Sequence, residues 1–258
     1  MQADRNRAYD AKNRELHRSV VLRLTEQIQN CILVHQQPNA RIARSGNLDP
    51  ERVWRAPLLD DSRVFRCAEE ENQPSFTVDL LLDASASRLH CQEVIAAQGA
   101  ILAESLSRCH IPVRVSSFCS LRGYTVLRVL KHFKDKQWQG VNQYFASGWN
   151  RDGLALRAAG DLLDFDPGPA PRHLLILLTD ASPNDSRRIP PSPENPLGRD
   201  YGGPYGVDQV SAVFMGENSS IPAAERIYGK NLARIRGMDQ LARAAGQLIQ
   251  HEIRALGD

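Results

Sequence analysis

The sequence predicts an α/β protein with an open, mostly parallel, Rossmann-like sheet and helices on both of its faces. From about residue 76 onward, short apolar runs alternate with stretches of helical periodicity, and polar loops follow the apolar runs. A short helical arm precedes this region. Alternation of strand and helix is typical of a parallel sheet that is covered by helices.

The N-terminal region, residues 1–73, is predicted to form a helical arm. An apolar residue recurs at every fourth position of its long helical stretch: Leu16, Val20, Leu24 and Ile28. Such a stripe is typical of an amphipathic helix with one buried face. Asp49-Pro50 predicts the start of a short helix that ends at Trp54. Clustered acidic residues at 69–71 and Pro74 predict a boundary, after which residues 74–258 form the main domain.

The main domain is predicted to alternate strands and helices in chain order. Strands are expected at 76–82, 113–118, 124–130, 173–178 and 210–215, and helices at 90–109, 153–163 and 238–253. The turn Arg122-Gly123 predicts that the third of these strands is an antiparallel edge.

A stretch rich in proline and glycine, 183–206, separates two of the predicted strands. Helix formation there is disfavoured, although parallel strands normally need a crossover of a dozen or more residues. Either the usual crossover helix is lost, or the strand 210–215 pairs in another way. We expect a long mobile loop over the site, used for partner recognition.

Composition and charge exclude several classes of partner. Lysine and arginine total 32 against 30 aspartate and glutamate, so we expect neither nucleic acid nor a membrane as a partner. Five cysteines without a C-x-x-C pair are expected to be buried thiols in a reducing compartment. The first residues are charged where a signal peptide is apolar, which favours a cytoplasmic location.

Oxygen-bearing side chains follow the predicted strands where a ligand of an open α/β sheet would bind. Asp83, Ser85 and Ser87 alternate after the first strand, Asp180 follows the strand 173–178, and Asn150 precedes a helix. Asp152 is the competing candidate in that last loop. Hard oxygen donors without imidazole or thiolate favour Mg²⁺ or Mn²⁺ over zinc.

The pattern D-x-S-x-S after an apolar strand, with the late Leu178-Thr-Asp180, resembles the metal-ion-dependent adhesion site (MIDAS) of von Willebrand factor type A (VWA) domains. The resemblance implies a VWA fold, with Mg²⁺ (or Mn²⁺) held by Asp83, Ser85, Ser87 and Asp180. It also places Asn150 where the family has threonine, a departure that we expect to change the affinity for the ion.

A further resemblance is to the bacterial intracellular branch of the family, which includes a cobalt-chelatase subunit and the nitric-oxide-reductase activation protein. It lies in residues 46–54, 108–113 and 178–185. The resemblance implies an adaptor that works with an AAA+ ATPase of the MoxR or chelatase type in metalloenzyme maturation or activation. An Asp or Glu of the partner would complete the coordination shell of the bound ion.

Two alternatives stay open. The D-x-S-x-S turn can be a strand-ending turn that caps a helix, leaving a metal-independent scaffold. A Mg²⁺-dependent hydrolase is the second alternative, because metal with carboxylates also serves phosphoryl transfer. The sequence has no nucleophile elbow, phosphate loop or G-x-G-x-x-G motif, and no histidine is placed to activate a serine, so we do not expect an enzyme.

Overall fold

The computed structural model describes residues 1–35, 39–69, 76–122, 124–180, 210–215, 232–235 and 238–257. The predicted domain boundary at residues 70–74 and the predicted loop at 183–206 lie outside the described residues. Whether the arm and the main domain are separate domains therefore stays a prediction.

The described helices include two that precede the first strand. The helices are α1 (Gln2–Lys12), α2 (Arg14–His35), α3 (Arg55–Leu59), α4 (Gln92–Arg108), α5 (Asp152–Phe165) and α6 (Met238–Gly257). Short 3₁₀ helices cover Ala86–Arg88 and Gln139–Gln143. Among these described helices, none is long and apolar enough to cross a membrane.

The strands form a small sheet and a large one. The small sheet contains β1 (Asn39–Ala43), β2 (Asn47–Leu48) and β3 (Phe65–Glu69). The large sheet contains β4 (Phe76–Asp83), β5 (Val113–Leu121), β6 (Tyr124–Lys131), β7 (Arg172–Thr179), β8 (Val210–Met215) and β9 (Leu232–Ile235). All predicted strands and helices of the main domain are thus confirmed, and the largest boundary differences lie at the C-terminal ends of β5 and α6.

The large sheet has the order β6-β5-β4-β7-β8-β9. All neighbouring pairs are parallel except β5 and β6, which confirms the predicted antiparallel edge. Renumbered within the sheet, this is the strand order 3-2-1-4-5-6 of doubly wound folds, which reverses between β4 and β7. The predicted fold class is confirmed. The strand β8 pairs in parallel with β7, so it takes a regular place in the sheet.

Apolar side chains on both faces of the sheet explain why the helices pack there. All eight residues of β4 are buried. On one face its side chains join a core with α2, α4 and α6, and on the other Leu81 packs with Phe118, Leu156 and Leu177. Strands buried on both faces are typical of parallel sheets.

The second helix contributes directly to the main core. Val20, Leu24 and Ile28 are buried in it, as the stripe predicts, together with Val21. Leu16 does not belong to the buried face, because 46% of it is exposed. The buried apolar stripe of α2 therefore begins at Val20, one turn after Leu16, where the sequence pattern places its start.

The predicted helix at 49–54 is wrong. Residues 50–54 form turns, and α3 begins only at Arg55. Asp49 accepts hydrogen bonds from the Glu51 backbone N–H at 3.1 Å and from Arg66 Nε at 2.8 Å. The carboxylate thus closes a local turn and fixes β3 instead of capping a continuing helix, in keeping with the preference of aspartate for turns.

Candidate metal centre

The candidate site lies at the carboxyl ends of β4 and β7, where the strand order reverses. The register pairs Leu82 with Leu178, so Asp83 and Thr179 follow side by side on neighbouring strands. Ligands of open α/β sheets bind in the crevice at this switch point. The sheet topology therefore brings the loop with Asp83, Ser85 and Ser87 next to Asp180 at the end of β7.

Asp83 is the buried centre of the site. It has no exposed surface, and its Oδ1 accepts a 2.9 Å hydrogen bond from the Ser85 backbone N–H. Its carbonyl oxygen accepts a 2.6 Å hydrogen bond from the buried Tyr144 hydroxyl. Burial raises the pKa of Asp83, whereas the positive charge of Arg88 lowers it. A second favourable contact with a cation would stabilise the charged carboxylate further.

The two serines connect this loop to the end of β7. Ser85 Oγ and Ser87 Oγ are 2.9 Å apart, and the Ser87 hydroxyl donates a 2.7 Å hydrogen bond to Asp180 Oδ2. The backbone N–H of Ala86 donates to the Gly148 carbonyl at 2.8 Å, which connects the same loop to the loop before α5. The structure therefore brings these oxygens together in one region.

The loop before α5 brings in both candidates that the sequence left open. Asn150 Nδ2 lies 3.3 Å from Asp180 Oδ1. Asp152 has no exposed surface, and its Oδ2 accepts a 3.1 Å hydrogen bond from the Thr179 hydroxyl. That hydroxyl oxygen also lies 3.3 Å from Asp83 Oδ2. Asn150 therefore contacts Asp180 on the partly exposed side of the site. Asp152 lies on the buried side, where the Thr179 hydroxyl connects it to Asp83.

Two residues of the site were missed by sequence reasoning. Thr179 links Asp83 and Asp152, and its place directly before Asp180 was the available signal. Arg88 is 5% exposed, with Nε 3.6 Å from Asp83 Oδ2 and Nη2 3.6 Å from Asp180 Oδ2. Arginine in a loop usually indicates a solvated surface, so residue type alone gave no sign of this inward position.

The donor set fits a hard divalent cation. Carboxylate, hydroxyl and amide oxygens are the ligands that Mg²⁺ and Mn²⁺ take in proteins. Within the described residues, no group of three or more His, Cys, Asp or Glu could hold a metal ion, so hydroxyls and the amide must complete any shell. The position of Arg88 between two carboxylates shows that positive charge is favourable there. The Asn150 amide would need to turn its oxygen inward to contribute.

The solved structures that are similar to the chain include the following three. Proximal thread matrix protein 1 from the mussel byssus has a TM-score of 0.49 at 15% identity, over 69% of this chain and 47% of that one. The vWF domain of the type V pili tip protein Mfa5 from Porphyromonas gingivalis has 0.46 at 12% identity, over 72% and 97%. A structure of three N-terminal domains of Mfa5 has 0.34 at 13% identity, over 42% and 20%.

The chain thus spans less than half of the mussel protein that it matches. Neither a protein-family model nor a curated protein matches the chain.

Proposed function

We propose that this chain is a metal-dependent protein–protein interaction module of the VWA type. Asp83, Ser85, Ser87, Asn150 and Asp180 hold Mg²⁺, or Mn²⁺, at the switch point of the sheet. The observation that carries the proposal is a hydrogen-bond network that joins three loops: Ser85 to Ser87, Ser87 to Asp180, and Asp180 to Asn150. Asp83 is connected to this network through the backbone N–H of Ser85.

The charge of the donor set explains how such a site grips a protein. Asp83 and Asp180 are its carboxylates, and neutral hydroxyl and amide oxygens fill the other positions. An ion held largely by neutral oxygens keeps positive character, so an Asp or Glu of a partner can complete its shell. The partly exposed Asp180 side of the site is where such a carboxylate would enter.

Exposed apolar side chains lie next to residues of the site in the chain. Leu89, next to Arg88, is 55% exposed, and Trp149, next to Asn150, is 51% exposed. Trp149 is bonded through its backbone to Ser120, which places it beside Leu121, 42% exposed. Large apolar and aromatic residues around a polar centre are typical of protein interfaces. The surface therefore favours a protein partner over a small molecule.

The partner class follows from the sequence resemblance. The intracellular VWA branch works with AAA+ ATPases of the MoxR or chelatase type, and we extend that role to this chain. Its function would be that of a cytoplasmic adaptor in the maturation or activation of a metalloenzyme. The carboxylate that completes the ion would come from the ATPase or its client.

The proposal is tested by isothermal titration of Mg²⁺ and Mn²⁺ into chelator-treated protein. Wild type is compared with Asp83→Ala and with the double variant Ser85→Ala, Ser87→Ala. Binding by wild type that is lost in both variants supports the site. Absence of binding by folded wild type contradicts it.

The alternatives give different results. A metal-independent scaffold would bind its ATPase equally well with and without EDTA. A hydrolase would turn over phosphoesters in Mg²⁺, and Asp83→Ala would abolish that turnover. The interaction module is expected to bind its partner only with metal and to show no turnover.

A further inference from the structure

The 3₁₀ helix Ala86–Arg88, which contains the second serine, directs one arginine into the site. Within residues 86–90, Ala86, Ser87, Leu89 and His90 are exposed, whereas Arg88 is buried. Long cationic side chains normally extend their charge into water. The inward orientation of Arg88 therefore requires a compensating negative charge inside.

Two carboxylates provide this compensation. The guanidinium contacts Asp83 Oδ2 through Nε and Asp180 Oδ2 through Nη2, each at 3.6 Å. Two carboxylates at the ends of adjacent strands repel each other, and the guanidinium between them offsets that repulsion.

We infer that Arg88 is a built-in counter-ion of this site, and that its guanidinium and a divalent ion compete for Asp83 and Asp180. The inference rests on the proposed function, because it concerns the same two carboxylates. A divalent ion on these oxygens would lie next to the guanidinium, and like charges at such short distances repel strongly. Occupation by the ion therefore requires Arg88 to turn outward.

The turn permits this movement. Its neighbouring residues are on the surface, so rotation of the Arg88 side chain would bring the guanidinium into water. There it would lie beside exposed Leu89, on the surface that we assign to the partner. Competition from Arg88 would weaken metal binding by the free protein. After turning outward, the guanidinium would give this surface a positive group that an acidic partner could contact.

The test is titration of Mn²⁺ into wild type, Arg88→Gln and Arg88→Met. A matched control is Arg108→Gln, which removes the same charge from an exposed residue paired with Glu104 at 2.7 Å. Removal of a competing cation is expected to tighten Mn²⁺ binding by about tenfold or more. Arg108→Gln is expected to stay within about twofold of wild type, because an exposed charge is screened.

The conservative variant Arg88→Lys keeps the positive charge and is expected to bind Mn²⁺ close to the wild-type affinity. Melting in EDTA provides a second readout. Arg88→Gln should melt below wild type because the carboxylates lose their counter-ion, and Mn²⁺ should restore more stability to it than to wild type.

The outcomes separate the two proposals. If wild type binds Mn²⁺ and the folded neutral variants bind it no more tightly, the competition is wrong and the metal site stands. If folded wild type binds neither Mn²⁺ nor Mg²⁺, the proposed metal-dependent function is wrong. If the folded neutral variants then bind neither ion, the inference falls with it, whereas binding by them alone would support the competition.

Discussion

The hydroxyl of Ser87 donates a 2.7 Å hydrogen bond to Asp180 Oδ2 across 93 positions of the chain. The bond joins the loop after β4 to the end of β7, at the point where the sheet reverses its strand order. The candidate ligand oxygens are therefore held close together by protein contacts alone. Such preorganisation lowers the cost of ordering the side chains around an ion.

The roles of Asn150 and Asp152 differ in the structure, and substitutions should separate them. Asn150→Ala removes a proposed ligand and is expected to weaken Mn²⁺ binding by about tenfold, whereas Asn150→Thr keeps an oxygen donor and should retain most of the affinity. Calorimetric titration measures both. If Asn150→Ala has no effect and Asp152→Asn abolishes binding in a folded protein, Asp152 is the ligand instead.

Gly148 fixes the loop that carries Asn150. Its φ is +70°, and an added Cβ would lie 2.3 Å from the Ser120 carbonyl oxygen. Gly148→Ala is expected to lower the free energy of unfolding by about 2 kcal/mol or more, through the left-handed backbone and the clash. It should also weaken Mn²⁺ binding by moving the loop. Urea denaturation and metal titration measure the two effects.

Gly160 is the matched control for that substitution. It lies within α5, and an added Cβ would meet nothing within 4 Å. Gly160→Ala is expected to leave stability unchanged or to raise it by up to about 1 kcal/mol, because alanine favours helices. Equal destabilisation by both substitutions would contradict the assignment of Gly148 to a specific backbone role.

A buried ion pair stabilises the face of the sheet that packs near α5. Arg114 is 1% exposed and bonds Asp79 by its Nε, and its Nη1 donates to the Asp166 carbonyl at 3.1 Å. Arg114→Met is expected to cost about 3–5 kcal/mol, since it leaves a buried carboxylate without its cation. The double variant with Asp79→Leu should cost less than the sum of the single changes. Urea denaturation of the four proteins measures this coupling, and strict additivity would contradict it.

Asp79 also determines how the stability of the Arg114→Met variant depends on pH. Burial raises the pKa of Asp79, and Arg114 opposes the rise. Without Arg114 the folded state binds the carboxyl proton more tightly than the unfolded state does. The stability of Arg114→Met should therefore fall as pH rises from about 4 through the raised pKa. Unfolding measured at several pH values tests this sign, and stability that increases over the same range would contradict it.

Cys109 is predicted to be an unreactive thiol. Burial raises the pKa of Cys109 to about 11. At pH 8 about one thiol in a thousand would be ionised, so alkylation by iodoacetamide should be more than about a hundredfold slower than in unfolded protein. The rate should rise about tenfold per pH unit up to pH 10. Peptide mass spectrometry measures it, and equal labelling of folded and unfolded protein would contradict the prediction.

The sequence predicted the sheet well because buried parallel strands are continuous apolar runs, such as 173–178. It missed α1, whose residues are largely polar. In that helix the buried Asn6 donates hydrogen bonds to the carbonyls of Asn142 and Tyr144, at 2.9 and 2.8 Å. Hydrophobic periodicity reveals a helix by its apolar face. A helix that packs through polar contacts, such as α1, is therefore hard to recognise from the sequence.

The candidate site, too, was only partly predicted from the sequence. Asp83, Ser85 and Ser87 form a local motif, and the strand order explains why Asp180 meets them. The inward position of Arg88 depends on two carboxylates from different loops, which residue spacing does not reveal. The small strands β1 to β3 were missed for a related reason, because short strands lack a long alternating pattern.

Direct localisation of the ion tests the central claim. Crystals grown with Mn²⁺ would give an anomalous difference peak at the metal position. We predict a peak about 2 Å from the Ser85 and Ser87 hydroxyl oxygens, close to Asp83 and Asp180, with Arg88 turned away from them. A well-occupied Mn²⁺ peak elsewhere, with Arg88 still between the two carboxylates, would contradict the proposed centre.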